Sequence, residues 1–310
     1  MRITNKMLSN NFLRDMNTNL NNLSTLQTQM ATGKQINKAS DDPAKASKIM
    51  QINSDISANK QYNDNITTTT NWLDMTDTAL GQVGDITTRI QELLVSAGNA
   101  GYGADEKGAI KDEINQKVGE LSQILNTSFD GKYIFAGTSG TTKPTGTTED
   151  TASNTQLDYT ATSSLESKLS VEVSQGVTTN YNVTASQIIN YGTGTNDNLT
   201  ALLKDITSNL DLGTSASTTS LTTTDLTGIQ SVMTNVLKLR SEVGAKQNGM
   251  ESALARNVDQ NTNMTEMLST TEDIDITEKS MEYSTMQTVY TASLQTSAKV
   301  LQPSLLDYLR

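Results

Sequence analysis

The chain has 310 residues, and its 23 Lys and Arg against 34 Asp and Glu give a net charge of -11. This balance argues against nucleic acids and anionic membranes as partners, because both select for basic surfaces. The chain contains neither Cys nor His, which excludes disulfides, thiolate or imidazole metal sites and Ser-His-Asp triads. Hydrophobic residues make up only 35% and aromatic residues 4%, which favours elongated packing with much surface per residue.

The first predicted element is an amphipathic helix whose apolar residues recur at steps of three and four, as in a heptad seam. The seam is made of Leu13, Met16, Leu20, Leu23 and Met30. Gly33 follows the last of these residues and predicts the end of the helix.

A turn and two further helices follow. Asp42 is predicted to cap the second helix, with Pro43 at its first position, where a missing N–H costs nothing. Asp41 belongs to the same turn, and we interpret both aspartates as capping residues rather than cation ligands. Apolar residues at helical spacing continue over 49–94, and a third helix is predicted to bury one face of 110–125.

The composition changes after the third helix, and residues 137–224 are dense in Thr, Ser, Gly and Asn. Leu169, Val171 and Val173 alternate with polar residues, which is the periodicity of a β-strand. We predict a small β-rich domain inserted between helical segments, with a disordered linker as the alternative. Helix is predicted to resume near Asp225.

Both ends of the chain are therefore predicted to be amphipathic helices that run antiparallel, because the chain goes out, passes through the insertion and returns. The apolar positions of the final helix are Met281, Met286, Val289, Leu294, Val300 and Leu301, followed by Leu305, Leu306 and Leu309. A single apolar stripe buries too little surface to offset the entropy of ordering a long helix. We therefore expect both ends to need partners.

An acidic cluster precedes the final helix and consists of Glu272, Asp273, Asp275 and Glu278. It lacks the loop glycine and ligand spacing of a calcium hand, so we interpret it as a solvated helix face. We expect no catalytic, metal or cofactor site and no enzymatic activity. No apolar run reaches the roughly 18–20 residues that span a bilayer, and the start of the chain does not have the pattern of a cleavable signal.

The chain resembles the flagellin superfamily over nearly its whole length. Residues 1–4, MRIT, are similar to the family's start, and residues 32–44, TGKQINKASDDPA, are similar to its turn between the first two helices. Residues 130–138, DGKYIFAGT, and the tail over 292–310 resemble the hook-associated protein 3 family more than filament flagellin.

This resemblance implies a mainly α fold with a β-rich insertion, arranged as an elongated antiparallel helical rod with a small distal β domain. Residues 1–42 and 270–310 would form the inner coiled-coil assembly domain. Residues 43–136 and 225–269 would form the helical rod, and residues 137–224 would be the outward-facing insertion. The two terminal seams would be the assembly surface.

The function that the resemblance implies is structural, namely polymerisation through the terminal helices to connect the flagellar hook to the filament. The implied partners are other copies in a ring, a hook-side junction protein, flagellin and a cytoplasmic export chaperone on the C-terminal helix. The implied location is the extracellular flagellum, reached without a cleaved signal peptide. The alternatives are filament flagellin itself and a flagellin-like secreted surface protein.

Overall fold

The computed structural model describes residues 5–99, 102–192 and 197–300. The chain divides into two compact units. Unit 1 consists of Met1–Ala58 and Asp259–Arg310, and unit 2 consists of Asn59–Val258. Both boundaries fall inside long helices, because α2 covers Pro43–Ala97 and α8 covers Leu226–Glu272.

Unit 1 is built around two helices from the opposite ends of the chain. Helix α1 covers Asn5–Thr32 and packs along α9, which covers Ile276–Val300. The two run antiparallel, since the end of α1 meets the start of α9 at an isolated bridge between Lys34 and Asp273. The antiparallel pairing of the two chain ends is therefore as predicted.

The end of α1 is joined to the α8–α9 connection by backbone hydrogen bonds. Gly33 adopts the left-handed conformation, with φ of +72°, which turns the chain out of the helix. Its carbonyl accepts from the Ile274 N–H at 3.1 Å, and the Gln35 N–H donates to the Glu272 carbonyl at 2.6 Å. Polar groups that a helix end leaves unpaired are thus satisfied by another helix end.

We name this contact between the end of α1 and the α8–α9 connection the joint. An ion pair reinforces it. The Lys34 ammonium contacts the Glu272 carboxylate, whose side chain is only 12% exposed. The hydrogen bond from Lys34 to Glu272, together with the attraction between their charges, raises the pKa of Lys34 above its ordinary value. The acidic cluster is therefore part of the joint between helix ends, and its interpretation as only a solvated helix face was incomplete.

Aspartates cap the helices that leave the joint. The Asp42 carboxylate accepts from the N–H groups of residues 44 and 45, both at 3.1 Å, which confirms it as the cap ahead of Pro43. Asp41 accepts instead from the N–H groups of residues 37 and 38, so it fixes the turn. Asp275 accepts from two N–H groups of the first turn of α9, and these bonds lower its pKa.

Unit 2 holds the main hydrophobic core, formed by α2, α8 and helix α3, which covers Ala104–Leu125. The helices contribute side chains at helical spacing that are almost completely buried, among them Leu73, Leu80, Ile90, Ile114, Leu121, Val232 and Val236. Two buried hydroxyls of α2 are satisfied within the helix, since Thr76 donates to the Trp72 carbonyl at 2.8 Å and Thr87 to that of Val83 at 3.0 Å. Helical spacing therefore accounts for the share of the core that these three helices contribute.

The strands in the described part of unit 2 form three antiparallel hairpins. They are β1 (Ser128–Phe129) with β2 (Lys132–Tyr133), β3 (Gly146–Glu149) with β4 (Thr155–Asp158), and β5 (Ser170–Ser174) with β6 (Val177–Asn180). The predicted strand around Val171 and Val173 is β5, and Val173 is buried in the core. The fold class, mainly α with inserted β structure, is thus confirmed.

The insertion also contains helices that the sequence analysis did not predict. They are α4 (Ser163–Glu166), α5 (Ala185–Ile189), α6 (Leu199–Leu212) and α7 (Ser215–Ser220), followed by a π-helical turn over Leu221–Asp225. Helix α6 buries one apolar face made of Leu199, Leu202, Leu203, Ile206 and Leu210. This core packing argues against the alternative of a disordered linker.

Trp72 connects the hairpins to α2. Its ring makes edge-on contacts with Phe129, at 6.0 Å between centroids, and with Tyr181, at 5.9 Å. The indole is 6% exposed. Aromatic rings prefer edge-on contacts to direct face-to-face stacking. The buried Trp72 ring, with two such contacts, therefore acts as a packing anchor.

Because Gly33 turns the backbone at the joint, Gly33→Ala should destabilise the end of α1. A Cβ at this position meets nothing within 4 Å, so the cost is the left-handed backbone alone, about 1–2 kcal/mol. Hydrogen exchange on α1 amides should report that loss of stability. Gly119→Ala in α3 is the control: its Cβ also meets nothing, and the change should stabilise its helix by about 0.5–1 kcal/mol. Unchanged exchange in Gly33→Ala would contradict the role of this turn.

The burial of Asp225 should make the free energy of unfolding depend on pH. It is 3% exposed, and burial raises its pKa, although Asn209 donates to it at 2.8 Å. A raised folded-state pKa means that stability is lost as pH rises from the ordinary pKa through the raised one. Asp225→Asn should therefore stabilise the protein near neutral pH, and the gain should vanish below the ordinary aspartate pKa. Denaturant titrations at both pH values measure it.

Asp211 is the matched control with the opposite sign. Burial alone would raise its pKa, but hydrogen bonds from Asn154 and Lys111 lower it. Asp211→Asn should destabilise the protein near neutral pH, and the loss should fade as pH falls through the lowered pKa. The same sign for both variants would refute the assignment.

Candidate assembly interface

The contact face of α1 toward α9 is a heptad seam. Buried and half-buried residues of α1 recur at steps of three and four, with Gln29 half-buried beside the last of them: Ser9, Phe12, Met16, Asn19, Leu23, Leu26 and Met30. The facing residues of α9 follow the same spacing: Lys279, Tyr283, Met286, Tyr290, Ser293 and Ser297. This spacing keeps one stripe of each helix toward the other, as in coiled coils.

At every second position, the residue that lies on the seam is the one before the residue that was predicted. The seam thus contains Phe12 instead of Leu13 and Asn19 instead of Leu20. Met16, Leu23 and Met30 lie on it as expected, but Leu13 is 55% exposed and Leu20 is 42% exposed. Phe12 and Leu26 occupy the contact face and were passed over, although both also fit the three-and-four spacing. Two apolar heptad positions adjoin in this helix, and only packing against α9 shows which one faces inward.

The residues predicted in the C-terminal helix are described only in part. Leu294 lies on α9 and is 44% exposed. The side chain of Val300 lies outside the described part of the structure, as do the residues Leu301, Leu305, Leu306 and Leu309. Met286 was expected among the apolar positions of the final helix, but the seam residues Tyr283 and Tyr290 were not predicted. Their spacing of three and four from Met286 was the signal that marked them.

The α1–α9 pair keeps large apolar side chains in contact with water. Besides Leu13, Leu20 and Leu294, these include Met281 at 62% and Val289 at 45% exposure. Covering the exposed half of one such side chain is worth about 1 kcal/mol. Several on a two-helix pair form a surface of the kind that marks protein interaction sites.

Charged side chains do little to hold the pair together. Lys279 and Glu282 form an ion pair at 2.7 Å within α9, and Arg14 and Asp15 approach to 4.0 Å within α1. Both are pairs within one helix, and exposed pairs contribute about 0–1 kcal/mol. The attraction between the helices is therefore mainly apolar.

Among the described residues, no three acidic, His or Cys side chains are grouped so that they could hold a metal ion. None of the helices in these described ranges contains the extended apolar, nearly uncharged stretch that a membrane span requires.

Family models match both helical ends of the chain. Residues 3–140 match the bacterial flagellin N-terminal helical region, and residues 226–309 match the bacterial flagellin C-terminal helical region. Unmatched residues 141–225 hold most of the insertion. The matched segments together make up most of the chain.

Individual relatives divide into two kinds. A flagellin from Clostridium tyrobutyricum is 28% identical over 190 residues, which are 60% of this chain. Those residues are 49% of that flagellin, so the chain spans about half its length. The flagellar hook-associated protein 3 of Escherichia coli is 26% identical over 282 residues, which cover 86% of both chains.

The fold has a counterpart among solved structures. The crystal structure of flagellar hook-associated protein 3 from Legionella pneumophila superposes with a TM-score of 0.61 at 14% identity. The superposition covers 72% of this chain and 98% of that one. The chain belongs to the flagellin superfamily and has the fold of hook-associated protein 3.

Proposed function

We propose that this chain is a structural subunit of the bacterial flagellum that connects the hook to the filament. The observation that carries the proposal is the α1–α9 pair, whose seam is closed but whose outer faces keep Leu13, Leu20 and Leu294 exposed. A helix pair of this kind is completed by neighbours. The likeness to hook-associated protein 3 over 86% of both chains supports the junction over the filament.

The proposed mechanism is geometric. Copies pack side by side in a ring through their terminal helices, so that the apolar faces left in water by each α1–α9 pair become buried. One edge of the ring contacts a hook-side junction protein, and the other contacts the first flagellin subunits. The protein thereby joins two different polymers, the hook and the filament, without catalysing a reaction.

The proposed division of labour follows the chain. Residues 1–42 and 270–310 form the assembly domain, residues 43–136 and 225–269 the helical rod, and residues 137–224 an outward-facing insertion. Support for the first of these comes from unit 1, which contains α1, α9 and the joint between them. The buried core of unit 2 supports a scaffold role for the middle of the chain.

Export is proposed to precede assembly. The chain would reach the outside of the cell without cleavage of a signal peptide, and a cytoplasmic chaperone would hold the C-terminal helix until then. A chaperone is needed because apolar side chains of α9 such as Met281 and Val289 would otherwise associate prematurely.

The test is made in a strain that lacks the gene. We expect electron microscopy to show hooks without filaments, with monomeric flagellin abundant in the medium. Hooks without filaments and no flagellin in the medium would mean that the chain is the filament itself. Normal flagella in the deletion strain would contradict any flagellar role.

Complementation of that strain tests the surface. Leu13→Asp with Leu20→Asp should fail to restore filaments, because two charges replace about 2 kcal/mol of apolar contact, a loss of more than tenfold in affinity. Leu212→Asp with Leu237→Asp is the control, since these leucines are 66% and 63% exposed in unit 2. The control should restore filaments. Filaments in both strains would contradict the role of the terminal helices, provided that both proteins are exported.

A further inference from the structure

The exposed apolar residues of the α1–α9 pair lie on two opposite sides of it. Leu13 and Leu20 each follow a seam residue of α1 by one position, whereas Asn22 and Gln29 each precede one. Residues one position after and one position before a heptad seam flank it on opposite sides. Leu294 likewise follows a seam residue of α9. Because α9 runs antiparallel to α1, Leu294 lies on the same side of the helix pair as Leu13 and Leu20.

The side that carries Leu13, Leu20 and Leu294 is here named the leucine ridge. Leu13 and Leu20 are one heptad apart, so they share one face of α1. This spacing, i and i+7, is that of the anchors with which an amphipathic helix lies in an apolar groove. The seam leaves the ridge open, because its side chains are 42–55% exposed.

The opposite side of the pair is a groove of about 700 Å³ between the two helices. Its lining includes Asn22 and Gln29 of α1 and, from α9, Glu278, Met281, Glu282 and Val289. Met281 and Val289 are largely exposed, and most of the accessible lining is apolar. The groove therefore offers an apolar floor to a ridge on another molecule.

We propose that the leucine ridge of one copy of this chain docks in the groove of the next copy. The proposal rests on the proposed function, which requires copies to pack side by side, and it adds which face meets which. Such a contact is heterologous, so each copy uses both faces and the arrangement can continue into a ring or a helical turn.

The charges favour this pairing over symmetric ones. Glu278 and Glu282 both line the groove, and only Glu282 is paired with Lys279. Two grooves placed face to face would bring carboxylates of the same sign together, which is unfavourable. Two ridges placed face to face would bury the leucines but leave both grooves open to water. Ridge in groove buries the apolar side chains of both.

The chain has no cysteine, so introduced ones report contacts without background. One protein carries Leu20→Cys, and a second, distinguished by a purification tag, carries Val289→Cys or Met281→Cys. The two full-length proteins are mixed at high concentration and oxidised. We expect the mixed disulfide to exceed either homodimer severalfold. A dominant Leu20→Cys homodimer would overturn the proposal in favour of ridge-to-ridge contact, and dimers in random proportions would overturn it too.

The same cysteines placed together in one chain test the assembled state. Leu20→Cys with Val289→Cys should yield a ladder of crosslinked copies in isolated flagella, because the two residues lie on opposite sides of their own pair. Normal flagella without any ladder would overturn the docking while the proposed function stands. Mixed disulfides in the purified proteins, with normal flagella in the deletion strain, would overturn the proposed function and leave the docking intact.

Discussion

The constraint on which this structure depends is that two helices cannot bury all of their apolar surface against each other. Helices α1 and α9 share one heptad seam, in which Met16 and Leu26 are the buried residues and the rest are half-buried. Side chains beside the seam, such as Leu20 and Val289, have no such cover. Unit 2, in contrast, closes its core within one chain, because α2, α3, α6 and α8 and residues of the hairpins all contribute to it. Unit 2 therefore buries its main apolar core within one chain, whereas the α1–α9 pair leaves apolar side chains beside its seam exposed.

The joint explains how the two chain ends are brought together despite this weak seam. Gly33 turns the backbone, Asp42 and Asp275 cap the helices that leave, and the bridge between Lys34 and Asp273 fixes the register. With the register set at one end, each seam residue of α1 meets its partner on α9. The joint thereby gives the outer faces of α1 and α9 a defined arrangement in the structure.

Local features could be predicted from the sequence, and long-range pairings could not. A few adjacent residues determine the Asp42 cap ahead of Pro43. The same holds for the turn at Gly33, so both features were predicted correctly. The bridge between Lys34 and Asp273 joins distant segments, and no local pattern marks it. In α1 two apolar heptad frames overlap, so the sequence alone could not show that Leu26 would face α9 while Leu13 would not. Helix α6 was missed because its Thr and Asn neighbours obscured the helical spacing of its leucines.

The central claim is that the faces beside the seam are open in the free chain and covered in the flagellum. A single cysteine at Leu20, introduced into this cysteine-free chain, measures that directly through its rate of labelling by a maleimide. The account predicts fast labelling of the purified protein and at least tenfold slower labelling in isolated flagella, because about 1.4 kcal/mol of protection gives that factor. A cysteine at Leu237 should label at similar rates in both. Equal rates at Leu20 in the free and assembled protein would contradict the claim.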